Sequence, residues 1–62
     1  MKTVLSGMTY EQQAHRADLH IDDIGGDKVV LDIRPIKGPD VGRPCPAIEV
    51  DREELKKFAR SL

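Results

Sequence analysis

The sequence predicts a small α+β domain, an antiparallel sheet built on a β-hairpin and followed by one C-terminal helix. Three observations carry this. Residues 18–34 hold two alternating apolar and polar runs around Gly25-Gly26. Residues 35–46 hold all four prolines and two glycines, the composition of a stiff loop. Residues 51–62 repeat apolar side chains at helical spacing behind a capping signal. Sixty-two residues make one domain, 1–62, and so short a chain buries a limited share of its surface and needs a staple. One cysteine excludes an internal disulfide, and two histidines beside it match no closed zinc site, so no metal or cofactor is expected. Oligomerisation is the staple that remains, and a homodimer is the expectation.

Residues 1–17 are the least determined. Residues 2–6 read as a short edge strand. Thr9-Tyr10-Glu11-Gln12 has the form of a capping box, which predicts a short helical turn over 10–16. Tyr10, Ala14 and Ala17 supply little apolar stripe, so a loop or irregular strand is the competing reading.

In the hairpin, Val29, Leu31 and Ile33 share one face with Leu19 and Ile21, and the opposite face carries His20, Asp22, Lys28, Asp32 and Arg34. Facing residues of an antiparallel pair lie on one side of the sheet, and that fixes the register. A two-residue turn would set Ile21 against Val30 and mix the faces. A three-residue loop, Gly25-Gly26-Asp27, sets Leu19 against Ile33, Ile21 against Leu31 and Asp23 against Val29. Pro35 has no N–H for a ladder and is expected to limit further pairing. Residues 47–50 form a further strand, with Ile48 and Val50 facing inward.

The helix over 51–62 starts at Asp51 as N-cap, with Glu54 three residues on and Val50 stapled to Leu55. Leu55, Phe58, Ala59 and Leu62 make one apolar stripe, expected to be the dimer interface or to cover the apolar face of the hairpin. Glu53 and Glu54 near the start and Lys56, Lys57 and Arg60 near the end suit the helix dipole, which accounts for the paired carboxylates without catalysis.

Ten basic residues stand against eleven acidic ones, a net charge of −1. Five Asp in 18–34 face only Lys28 and Arg34, so that stretch is acidic. The chain is no general polyanion binder, and nucleic-acid affinity would have to come from a local patch. The first residues hold no long apolar run, so neither a signal peptide nor a membrane span is expected, and a free cysteine suits a reducing, cytoplasmic setting.

The strand Lys28-Val29-Val30-Leu31-Asp32-Ile33-Arg34, the Gly42-Arg43 loop, and Ile48-Glu49-Val50 running into Asp51-Arg52-Glu53-Glu54-Leu55 carry a resemblance. Over about residues 17–62 the chain resembles the single-stranded DNA-binding domain of transcriptional coactivator positive cofactor four, and is most like its short bacterial relatives. The resemblance implies a four-stranded antiparallel sheet with one helix, a homodimer joined through its helices, and a role in transcription in the cytoplasm, nucleoid or nucleus. Single-stranded DNA or RNA would lie on cationic side chains with bases stacked on aromatics. By matched position Lys28, Arg34, Lys37 and Arg43 would contact phosphates. The family's stacking aromatics fall near Ile24 and Ile36-Lys37, where this chain has none, which leaves Tyr10 as the candidate platform. Residues 50–55 alone also resemble the strand–helix junction of carbon storage regulators, whose N-terminal strand finds no match here.

The competing reading, from another class, is a protein-interaction module that uses the acidic hairpin and the Pro-rich loop. On the polar face Arg34 and Lys28 could equally pair with Asp32, Asp22 or Asp23. His20 opposite Asp32 is a surface pair, and Cys45 beside Arg43 is an inert or a reactive loop thiol. No nucleophile–base pair, metal set or phosphate loop is present in the sequence, so an enzyme is not expected.

Overall fold

The computed structural model describes residues 1–43 and 45–62. Four strands form one antiparallel sheet in chain order: β1 (Lys2–Met8), β2 (Arg16–Asp22), β3 (Lys28–Pro35) and β4 (Ile48–Asp51), followed by helix α1 (Arg52–Arg60). The protein is therefore a small α+β domain, as the alternation and the capping signal predict.

The β2–β3 register sets Leu19 opposite Ile33 and Ile21 opposite Leu31, as the facing rule requires. The turn itself differs. The ladder stops at Asp22 and Val30, so Asp23 does not sit opposite Val29 as a strand residue. Instead its carboxylate accepts the Gly25 N–H at 3.1 Å, and the chain turns through Gly25 and Gly26, both at positive φ (86° and 76°).

Three further expectations are corrected. Pairing continues through Pro35, which lies opposite Ala17, and the Ile36 N–H donates to Arg16 O at 2.9 Å. Bonds alternate along an antiparallel ladder, so Pro35 stands where no N–H is asked for toward β2, and its missing donor faces the open edge beyond β4. No helical turn forms over 10–16. The Thr9 hydroxyl does cap a backbone N–H, but that of His15 (3.1 Å), while Thr9 N–H donates to His15 O at 2.9 Å. A six-residue closure thus replaces the capping box and carries β1 on to Met8, beyond the expected residue 6. β4 is displaced by one residue, to Ile48–Asp51, and α1 is shorter than expected at both ends, running from Arg52 to Arg60 with Ser61 as its C-cap. The Asp51 N-cap forms as expected, accepting from Glu53 N at 2.9 Å and Glu54 N at 3.2 Å.

The paired register sorts the sheet into two faces. One carries Leu5, Ala17, Leu19, Ile21, Val29, Leu31, Ile33, Ile48 and Val50. The other carries Lys2, Arg16, Asp18, His20, Asp22, Lys28, Asp32, Arg34, Glu49 and Asp51 among others. The apolar face has almost no cover: among the described residues only Ala17 and Val29 are buried hydrophobics. Helix α1 buries none of its residues and leans on β4 rather than across the sheet.

The helix is instead fastened by Arg52, its first residue. The guanidinium grips the Asp23 carboxylate with both terminal nitrogens (2.6 and 2.5 Å), Nε donates to Gly26 O at 2.9 Å, and the backbone N–H donates to Asp27 O at 2.8 Å. The Arg52 fork, then the Gly25 N–H, hold the Asp23 carboxyl well below the ordinary carboxylate range, and Asp23 in turn raises Arg52.

Candidate nucleic-acid interface

The expected phosphate-contacting cations do not form one row. Lys28 opens β3 at the hairpin end, with its ammonium 3.9 Å from Asp51 Oδ2. Arg34 lies six residues further along the same strand, about 20 Å away by the rise of an extended chain. Lys37 and Arg43 follow in the loop between β3 and β4, at Arg34's end. Tyr10 joins them there, because the 9–15 connection and the 36–43 loop meet: the His15 ring packs directly beneath Gly38. The structure therefore gathers Tyr10, Arg34, Lys37 and Arg43 at the loop end and leaves Lys28 at the other.

Beyond Leu31 the free edge of β3 has no β4 partner. A cleft of about 370 Å³ runs along it, lined by Arg34 and Arg43 with Ile33, Pro35, Gly42 and Cys45. On the apolar side a second groove, about 510 Å³, holds Tyr10 with Leu5, Met8, Ala17 and Leu19. Ile33 lines both. The Tyr10 ring is fully exposed, as a stacking platform has to be.

The cations are engaged by local acids. Arg34 Nε donates to Asp32 Oδ2 at 2.8 Å, and that bond, opposed by partial desolvation, holds Asp32 below its ordinary value. Arg43 Nη1 lies 3.4 Å from Asp40 Oδ1. Lys37 forms no ion pair among the described residues. Sequence reasoning missed Arg16, on the same polar face as Arg34 and 3.8 Å from Asp18 Oδ1. Its signal was its place directly before the first hairpin strand, which a β2 drawn from residue 18 conceals. With Arg16 included, this end carries four cations against Glu11, Asp18, Asp32 and Asp40. The pairs are half-exposed and contribute little to stability, so a phosphate can replace a carboxylate on these arginines at small cost.

Of the expected interface stripe, only Leu55 faces the sheet, lining an apolar groove of about 560 Å³ with Leu19, Leu31, Ile33 and Ile48. Phe58 is 60% exposed and Leu62 89% exposed, and Ala59 is exposed beside them. Cys45 is a free, exposed thiol with its Sγ 3.9 Å from Arg43 O. Among the described residues no three His, Cys, Asp or Glu side chains are grouped to hold a metal ion, and among them no helix is long and apolar enough to cross a membrane. Compared with family models, curated proteins and solved structures, the chain matches none.

Proposed function

We propose that the protein is a non-catalytic, homodimeric module that binds single-stranded nucleic acid in a cytoplasmic or nucleoid setting, in the service of transcription. The observation that carries this reading is the cleft on the free edge of β3, where Arg34 and Arg43 lie within reach of one backbone, with Lys37 and the bare Tyr10 ring at the same end. Cations that track phosphates and one aromatic that accepts any base give binding with little sequence preference. Lys28 belongs to the hairpin end and takes no part.

The homodimer is supported by the uncovered apolar surface. Leu5, Ile33, Ile48, Phe58 and Leu62 are each at least half exposed. Burying one such side chain fully contributes roughly 1.5–3 kcal/mol, which a core of two small residues cannot supply alone. A second copy would set Phe58, Ala59 and Leu62 of its helix, with Leu55 behind them, against this surface.

A labelled thymine oligonucleotide of about 20 residues, titrated at low and moderate salt beside a duplex of equal length, tests the binding. Single-strand binding that weakens with salt, exceeds duplex binding and falls with Arg34→Ala and Arg43→Ala is expected. No binding at low salt overturns the reading. Sedimentation of the wild type and of Phe58→Glu tests the dimer, with the variant expected to run as a monomer.

The near balance of charge at the loop end favours one second reading, a protein-interaction module. Its acidic surface would be Asp22 and Asp27 on the hairpin, since Arg52 occupies Asp23. It predicts indifference to oligonucleotides.

A further inference from the structure

His15 joins the two loops that carry the proposed interface, and its ring is set between two carboxylates. The 9–15 connection contributes Gln13 O, 2.9 Å from Nδ1, and Glu11 Oε1, 3.4 Å from Nδ1. Glu11 is itself steadied by the Thr9 hydroxyl at 3.2 Å. The 36–43 loop contributes Gly38, packed on the ring, and Asp40 Oδ2, 3.7 Å from Nε2. A carbonyl only accepts, so the bond to Gln13 O requires the proton on Nδ1. In the neutral ring Nε2 is then a lone pair aimed toward a carboxylate, and it is buried with no hydrogen-bond partner. A second proton turns that clash into an ion pair.

Asp40 is shared. Its Oδ2 faces His15 and its Oδ1 lies 3.4 Å from Arg43 Nη1. We propose that His15, Asp40 and Arg43 form a proton-operated relay that regulates the nucleic-acid interface. A proton on His15 draws Asp40 inward, pins the 36–43 loop to the 9–15 connection and releases Arg43 to a phosphate. Loss of that proton returns Asp40 to Arg43. The same proton tips the loop end from charge balance to net positive. Binding is therefore stronger when His15 carries its second proton than when the ring is neutral, that is, stronger in acid than in alkali. The effect on binding rests on the function proposed above, whereas the movement of the loop does not.

The test uses the full chain at fixed ionic strength with the thymine oligonucleotide, at about pH 5.5 and about pH 8. Wild type is expected to bind several-fold, up to about tenfold, more tightly at the lower pH, the effect of about one additional phosphate contact. His15→Gln is expected to lose most of that difference. Asp40→Asn is expected to bind at about pH 8 as tightly as the wild type binds in acid, an outcome that simple misfolding would not give. In parallel, amide resonances of Gly38 and Asp40 in the free protein are expected to move together with the His15 ring through a single-proton transition. If His15→Gln keeps the wild-type pH dependence, or those amides ignore the His15 transition, the relay is overturned. If the amides follow His15 but no oligonucleotide binds, the relay in the loop stands and the nucleic-acid reading fails.

Discussion

At the hairpin end of the sheet Arg52 directs Nε and both terminal nitrogens onto Gly26 O and one carboxylate, while its backbone N–H bonds Asp27 O. At the loop end Arg16, Arg34 and Arg43 each meet a single carboxylate through a single nitrogen, at 3.8, 2.8 and 3.4 Å. The same pair of residue types thus does two jobs. A guanidinium whose fork is filled from several sides is an anchor, and one held at a single point remains open to exchange. What separates the two is where the partners come from, since Arg52 joins the helix to a turn more than twenty residues away, whereas each of the others meets an acid two or three residues along its own segment.

The comparison breaks first at the anchor. Arg52→Ala or Asp23→Asn is expected to lower Tm several times more than Arg34→Ala, with amides 52–60 losing exchange protection before those of β2 and β3. Equal effects of the two arginine substitutions would erase the distinction. Acid should act through the same group. The folded value of Asp23 lies well below its unfolded value of about 3.9, so the unfolded chain takes up the proton first as pH falls. The stability that Asp23 contributes is fully present above about pH 5 and is lost progressively below about pH 4. Asp32 adds a change of the same sign. Thermal melts from about pH 7 to about pH 3 check this, and Asp23→Asn should flatten the acid limb.

At the loop end a backbone substitution tests how closely the two loops are joined. Gly38 has φ of 98°, and a Cβ there would lie 2.7 Å from the His15 ring. Gly38→Ala is expected to cost about 1–3 kcal/mol in denaturant melts, whereas Gly42→Ala, at positive φ but with open space around its Cβ, should cost less. The smallest effects separate the cations. Arg43→Ala should reduce the salt slope of oligonucleotide binding by about one, and Lys28→Ala should leave both slope and affinity within about twofold. A Lys28 effect equal to that of Arg43 would mean that nucleic acid runs the length of β3 rather than across its end.

What sequence made legible follows the range of the interaction. The hairpin register was readable because side-chain parity across a turn is local and strict, and so was the Asp51 cap, whose acceptor and donors lie within three residues. The Thr9 signal was genuine but ambiguous: a hydroxyl that would cap a helix three residues on takes instead the His15 N–H, and only pairing of β1 with β2 decides between them. Pro35 misled because its cost depends on which edge its missing donor faces, which the ladder sets and composition does not. Asp23 and Arg52 lie 29 residues apart with no periodicity to link them, so the main fastening of the helix left no trace in spacing. At the site, the loop-end grouping of Tyr10, Arg34, Lys37 and Arg43 was hidden for the same reason. It depends on the contact of His15 with Gly38, which joins two loops separated by a full hairpin.

Strand order that follows chain order has a kinetic consequence. Each strand meets the one next to it in sequence, so the sheet can assemble by successive closure of neighbours, a topology that favours rapid folding. The Arg52 fork closes across the largest separation among the side-chain hydrogen bonds of the described residues and draws on segments that the sheet must first have placed. It is expected to close after the rate-limiting barrier. Loss of the fork should therefore leave the folding arm of a chevron in place and steepen the loss of native protein through faster unfolding. The clamp sets how long the native state lasts, and the meander sets how soon it is reached.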